Sequence, residues 1–281
     1  MACPAVIPNA TLPHRWGSFV ALLGDRALPR VPISFPVRLH LEGDASPRCV
    51  RARDLCVAGI GIESPQSVAL DEIRRVTLAT PTGRIDLIAE GCWQVNSPVG
   101  DGFTAGIRFI GVESIALNQL WELVHHQARI LMRWFGQVLE FQSFSLNDRS
   151  DLTQLTRIRE LRKGDALHRQ EIQSPGDDSI FIVTEGETAI DTRTADGSRI
   201  VLGHAGPGDL LGGLALVTNA PSDENAIALR DTSLLEIPPA AFEKLKHANP
   251  ALALATAASV MRAHLARRAN PFPIRSEGVN R

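Results

Sequence analysis

Apolar and polar positions alternate in short runs over residues 35–42, 49–53, 57–63, 73–79, 84–94 and 104–110, separated by Gly, Pro, Asp or Ser. A period of two sends successive side chains to opposite faces of a strand, so this texture predicts six short strands in a small antiparallel barrel or sandwich. Residues 1–24 lack such a period, are punctuated by Pro4, Pro8, Pro13, Gly17 and Gly24, and read as an irregular arm. From Ser114 to Phe141 the period lengthens to that of a helix. Its apolar stripe is Leu117, Leu120, Trp121, Val124, Ala128, Leu131, Trp134 and Val138, which reads as core. The polar run 143–151 marks the expected domain boundary.

A second set of strands is predicted from Ile158 onward: Ile180–Glu185, Thr188–Thr194, Ser198–His204, and one or two more within Ala226–Ile237. Asp196-Gly197 is a hairpin signal. Helices are expected at Ala240–His247 and, after Pro250, at Leu252–Arg268. The last of these has a face of Leu254, Ala258, Met261 and Leu265 suited to a partner helix, either within the chain or in a homodimer. The fold class is therefore mainly β in two domains, 25–142 with its closing helix and 152–268, with a short tail at 269–281.

Composition narrows the function. With 44% hydrophobic and 21% charged residues and a net charge of −2, the chain is globular, and binding to nucleic acid through bulk charge is disfavoured. Lysine occurs only at Lys163, Lys244 and Lys246, so nearly all positive charge is guanidinium. The 4 cysteines (Cys3, Cys49, Cys56, Cys92) lack metal-ligand spacing and are too few for a disulfide scaffold. No signal peptide or membrane span is expected, and the cytoplasm is the expected compartment.

Arg26 and Arg30 stand four residues apart just before the first strand. A guanidinium binds phosphate bidentately and stacks on bases, so two on one arm can wrap a nucleotide. Taken alone, such a pair is common in an arginine-rich chain and usually lies in a solvated turn. Further on, between two predicted strands, comes Asp54-Leu55-Cys56-Val57-Ala58-Gly59, then Ile60-Gly61-Ile62. This order places a carboxylate and a small group on one strand face and lets the backbone come close at the glycine.

With Gly91-Cys92-Trp93 and Gly106-Ile107-Arg108-Phe109, the segment from about 25 to 135 resembles the PilZ domain. That family is a six-stranded antiparallel barrel that binds cyclic di-GMP through Arg-x-x-x-Arg and Asp/Asn-x-Ser-x-x-Gly. The resemblance implies that Arg26 and Arg30 hold phosphates and stack on guanine, that Asp54 and Cys56 meet a guanine edge, and that Gly59 permits close approach. Cys56 replaces the family's serine. A thiol hydrogen-bonds weakly, so affinity is expected to fall without vanishing.

Residues of about 152–268 resemble the cyclic-nucleotide-binding domain of the catabolite activator and of protein kinase regulatory subunits, a β jelly roll with flanking helices. The resemblance rests on Gly164-Asp165, Ile180–Val183, Glu185-Gly186-Glu187 and the run Gly206 to Leu216. It implies a cyclic-phosphate cradle at Gly212, Gly213, Leu214 and Ala215. In that family a glutamate takes the ribose and an arginine the phosphate. Those positions are Gly213 and Ser222 here, with Asp223 and Glu224 following, so the cradle is degenerate.

Other constellations carry less. Glu122, His125 and His126 lie within one helical turn but suit an exposed face, and no metal site is expected. Arg262, Arg267, Arg268 and Arg275 read as a solvated helix end, and the tail after Arg268 is too short for a helix-turn-helix. No nucleophile–base set converges on one place. The reading is a cytoplasmic, non-enzymatic bacterial signalling receptor, without cofactor, whose ligand is cyclic di-GMP and whose binding alters interdomain packing or the docking of an unknown protein partner. The alternatives are a nucleotide-independent interaction scaffold and a cyclic AMP receptor with a vestigial first domain.

Overall fold

A computed structural model describes residues 28, 30–80, 83–97, 102–170, 179–194 and 196–269. Arg26 and Arg275 lie outside the described residues, as do the arm and the tail. The chain divides into two compact units, 1–132 and 133–281.

In the first unit, strands β1 (Val31–Leu41), β2 (Arg48–Cys56), β3 (Gly59–Ser64), β4 (Ile73–Thr80), β5 (Gly83–Asn96) and β6 (Phe103–Phe109) close an antiparallel barrel in the order β1-β2-β3-β6-β5-β4. Alternation decides which side chains fill it: Val37, Leu39, Leu55, Ile60, Leu78 and Ile107 point inward, all almost fully buried. Helix α1 (Ser114–Gln137) follows, burying Leu120, Val124 and Leu131 of the expected stripe and also Phe135. It ends four residues short of the expected Phe141, and Leu139–Phe141 tightens into a 3₁₀ turn.

The polar run 143–151 is structured. Ser145 caps helix α2 (Leu146–Leu155) through a reciprocal box with Asp148, whose backbone N–H donates to the serine oxygen. Polar composition signalled the cap, and the helix behind it carries only a weak apolar face.

The second unit stacks two four-stranded sheets. One has the order β11-β10-β13-β8, formed by β8 (Ala166–His168), β10 (Thr188–Arg193), β11 (Arg199–Ala205) and β13 (Asn225–Ala228). The other has the order β12-β9-β14-β7, formed by β7 (Arg157–Leu161), β9 (Ile180–Glu185), β12 (Leu210–Gly212) and β14 (Thr232–Ile237). Phe181, Val183, Ile190, Leu211, Ala226 and Leu234 fill the space between them. Helices α3 (Leu214–Thr218), α4 (Pro239–Ala248) and α5 (Pro250–Ala269) flank the roll.

Helix α5 packs inward through Leu252, Ala253, Thr256, Val260, Ala263 and His264. The face proposed from sequence is turned away: Leu254 is 72% and Leu265 59% exposed. Among the described residues nothing covers Leu254 and Leu265, while Ala258 and Met261 of the same face are half-buried.

Candidate functional site

The outer wall of the barrel carries the first site. Pairing sets Asp54 opposite Gly61, Gly61 opposite Gly106, and Gly106 opposite Trp93, one row across β2, β3, β6 and β5. The two central positions have no side chain, and the flanking ones fold over them. A Cβ on Gly61 would lie 2.5 Å from Asp54 Oδ2, and one on Gly106 would lie 2.2 Å from Trp93 Nε1. The result is a shallow trough walled by a carboxylate and an indole.

Two bulges aim these walls. Pairing between β2 and β3 shifts register between Ala52 and Asp54, and that between β5 and β6 shifts between Gly91 and Trp93, leaving Arg53 and Cys92 as the extra residues. In a regular strand Arg53 would face away from Asp54. The bulge instead lets its Nε and Nη2 donate to Asp54 Oδ2 at 3.1 and 3.0 Å. Sequence reading missed Arg53 for this reason. Trp93 stands out in the sequence only through the family resemblance of Gly91-Cys92-Trp93.

Arg30, at the foot of β1, donates Nη1 to Asp54 Oδ1 at 2.5 Å. Burial pushes the Asp54 carboxyl up, but the charges and hydrogen bonds of Arg30 and Arg53 outweigh it and hold the group below the ordinary carboxylate range. Burial likewise works against the charge of Arg30. Cys56 and Asp54, with a smaller contribution from Cys92, reverse that and raise its pKa.

The structure thus brings Arg30, Asp54 and Gly59 together, a Cβ on Gly59 lying 3.4 Å from Arg30 Nη2 and 2.4 Å from the Ile107 carbonyl. Cys56 ends β2, a buried thiol beside them, whereas the thiols of Cys49 and Cys92 are exposed. Arg108 pairs with Glu90 on the strand next to Gly59.

The second site is the β12–α3 corner. Gly212 and Gly213 are both left-handed, with φ of 63° and 76°. A Cβ on Gly213 would stand 2.6 Å from Ile180 Cγ1, so this backbone admits glycine and excludes the glutamate that the resemblance expects. Leu214 opens α3 and Ala215 is buried within it. Ser222 supplies no cation: its hydroxyl donates to the Glu224 carbonyl at 3.0 Å and closes a local turn.

Beyond it, Glu224 is buried and accepts from Arg267 Nη2 at 3.1 Å, while Asp223 Oδ2 lies 2.6 Å from Arg268 Nη2. Arg267 also donates to the Leu210 carbonyl at 2.8 Å, and Arg262 to Ser259 Oγ at 2.8 Å. Arg267 is therefore a half-buried working part of the fold, which corrects its reading as solvated, whereas Arg262 and Arg268 make their bonds from the exposed helix end expected of them. Sequence could not pair residues some forty positions apart.

Burial alone would push the Glu224 carboxyl up. His264, Arg267 and His168 overcome it and lower the pKa to about 2. Glu122, His125 and His126 lie on α1, His125 against the Trp121 ring at 5.2 Å. Among the described residues, the group with metal-ligand spacing is instead Asp223, Glu224 and His264.

Residues 25–126 match the PilZ domain and residues 158–249 the cyclic nucleotide-binding domain, and both families are ligand-binding rather than catalytic. Lysophospholipase NTE1 of Coccidioides immitis is 30% identical over 95 residues, 34% of this chain. Neuropathy target esterase sws of Drosophila persimilis is 31% identical over 86 residues. The chain spans 6% of the length of each.

Among solved structures, a cyclic nucleotide-binding domain from Methylobacillus flagellatus covers 50% of this chain and 78% of its own, with TM-score 0.43 and 15% identity. The catabolite activator protein of Thermus thermophilus covers 46% of this chain and 59% of its own, with TM-score 0.40 and 22% identity. Among the described residues, no helix is long and apolar enough to cross a membrane.

Proposed function

We propose, from the premise that a PilZ domain at 25–126 precedes a cyclic nucleotide-binding domain at 158–249 and that such a chain is a cyclic-nucleotide signalling receptor, that its ligand is cyclic di-GMP, bound on the barrel wall of the first domain. The observation that carries this reading is the Arg30–Asp54 pair at the edge of the trough over Gly61 and Gly106. A cyclic dinucleotide offers two anionic phosphates for guanidinium groups and two purine faces for stacking, and Trp93, 41% exposed, borders the floor on which a base would lie. Arg26 joins Arg30 on the phosphates. While Arg30 turns to the ligand, Arg53 keeps the Asp54 carboxylate charged and aimed at a guanine N–H edge.

The second domain acts as a scaffold. The backbone excludes the ribose-binding glutamate at Gly213, and the arginine expected at Ser222 is replaced by carboxylates that the chain neutralises itself. The cell is bacterial and the compartment cytoplasmic. The signal passes by changed packing of the domains or by docking of a protein partner, and the outward Leu254 and Leu265 face of α5 pairs with a second copy.

Calorimetry tests the site. Cyclic di-GMP should release heat with the wild type, and Arg30→Ala should bind roughly ten- to a hundredfold more weakly, the loss of a charge-assisted contact. Equal affinities would refute it. A thermal shift produced by cyclic AMP and not by cyclic di-GMP would instead make the second domain the receptor.

A further inference from the structure

The corner where the cyclic phosphate cradle is degenerate has a chemistry of its own. Asp223 and Glu224 lead into β13, and His264 comes from the buried face of α5. One donor atom from each lies within 4.8 Å of the others. His264 Nδ1 is 3.5 Å from Glu224 Oε2, and its Nε2 is 3.6 Å from Asp223 Oδ2. His168, on β8, brings its Nε2 to 3.8 Å from Glu224 Oε1.

These separations are long for hydrogen bonds. Ligands about 2.0–2.2 Å from a tetrahedral ion lie roughly 3.4 Å from one another, and His264 Nδ1 and Glu224 Oε2, at 3.5 Å, have that spacing. A second observation points the same way. Glu224 Oε2, His264 Nδ1 and Asp223 Oδ1 are buried atoms without a hydrogen-bond partner among the described residues, and Glu224 and His264 are 2% and 6% exposed. Orphaned polar atoms at such depth are costly unless something fills the space between them.

We propose that Asp223, Glu224 and His264 bind a divalent first-row transition ion that pins α5 to the end of β13. One imidazole and two carboxylates suit zinc, manganese or iron(II) and do not suit calcium, which takes oxygen donors alone. Arg267 and Arg268 occupy the outer oxygens of the carboxylates, as partners of ligating groups do, and leave one oxygen of each turned inward. Their charges also make the affinity weaker than that of a thiolate-bound structural zinc. Asp223, whose side chain is 43% exposed, is the side from which the ion arrives. A place where the resemblance expects an anion is thereby turned into a cation site.

The test is titration of the chelator-treated full chain with cobalt(II), read by visible absorption, followed by displacement with zinc. One equivalent should bind with the spectrum of nitrogen and oxygen ligation and without a thiolate charge-transfer band. Asp223→Asn and His264→Gln should each weaken binding by about tenfold or more, with Cys49→Ser/Cys92→Ser unchanged. Circular dichroism establishes that each variant is folded. If His264→Gln is not, the half-exposed Asp223→Asn decides. Absence of a bound equivalent, a thiolate band, or undiminished affinity in folded Asp223→Asn would overturn the assignment.

Discussion

The Asp54 carboxylate lies across Gly61, so that a methyl group on that glycine would stand 2.5 Å from Oδ2. Arg30 holds one oxygen and Arg53 the other, so the carboxylate cannot simply swing aside. Gly61→Ala should therefore dislodge Asp54 and cut cyclic di-GMP affinity at least about tenfold, the loss of one charged contact, with the barrel still folded. Calorimetry against a circular dichroism control measures it, and an alanine variant that binds as well as the wild type would contradict the proposed trough.

Restoring the family's glutamate should fail. Gly213→Glu places a side chain at φ 76° and against Ile180, costing about 1–3 kcal/mol in backbone strain and about as much again in overpacking. Thermal unfolding should show a marked loss of stability in the second unit, and cyclic AMP should not recover it.

Glu224 makes the second unit sensitive to acid. Its pKa is about 2 in the folded protein and ordinarily 4.5. A depressed folded value contributes stability that is complete above about 4.5 and is lost as pH falls toward 2. The full difference is on the order of 3 kcal/mol. Melting temperature followed from pH 6 to pH 2 should drop over that window, and Glu224→Gln, already weaker at neutral pH, should lose the slope.

Asp151 behaves oppositely. Burial and the nearby Asp148 raise its pKa to about 6, against a smaller lowering by Asn249, and its Oδ1 is buried without a partner among the described residues. A raised folded value in an acid means that ionisation at neutral pH costs stability and that the cost disappears as pH falls from about 6 to 4. Asp151→Asn should thus stabilise the protein by about 1–3 kcal/mol at pH 7.5, with no gain at pH 4. Calorimetric melts at the two pH values decide it.

Much of the architecture was legible because burial imposes a period. The strand Ile180–Glu185 falls on the residues expected, and β4 and β6 within a residue or so at each end. Bounds slipped where chemistry competes with period. The second strand runs on through Asp54 to Cys56, since its bulge at Arg53 breaks the alternation by which a strand is recognised. The helix at 146–155 hid behind a polar cap. For the candidate site, Arg30, Asp54 and Gly59 could be picked out by order along the chain, whereas Arg53 could not.

What the sequence determined by itself was therefore local: which stretches pleat or coil, where glycine is placed, and which charges exist. Only the tertiary structure decided how those charges are spent. A strand register brings Asp54 and Trp93 over two glycines from opposite ends of a row, and the return of α5 sets His264, Arg267 and Arg268 against Asp223 and Glu224. Local pattern follows from the geometry of adjacent peptide units, but partnership between distant side chains depends on register and packing, which form only when the whole domain closes.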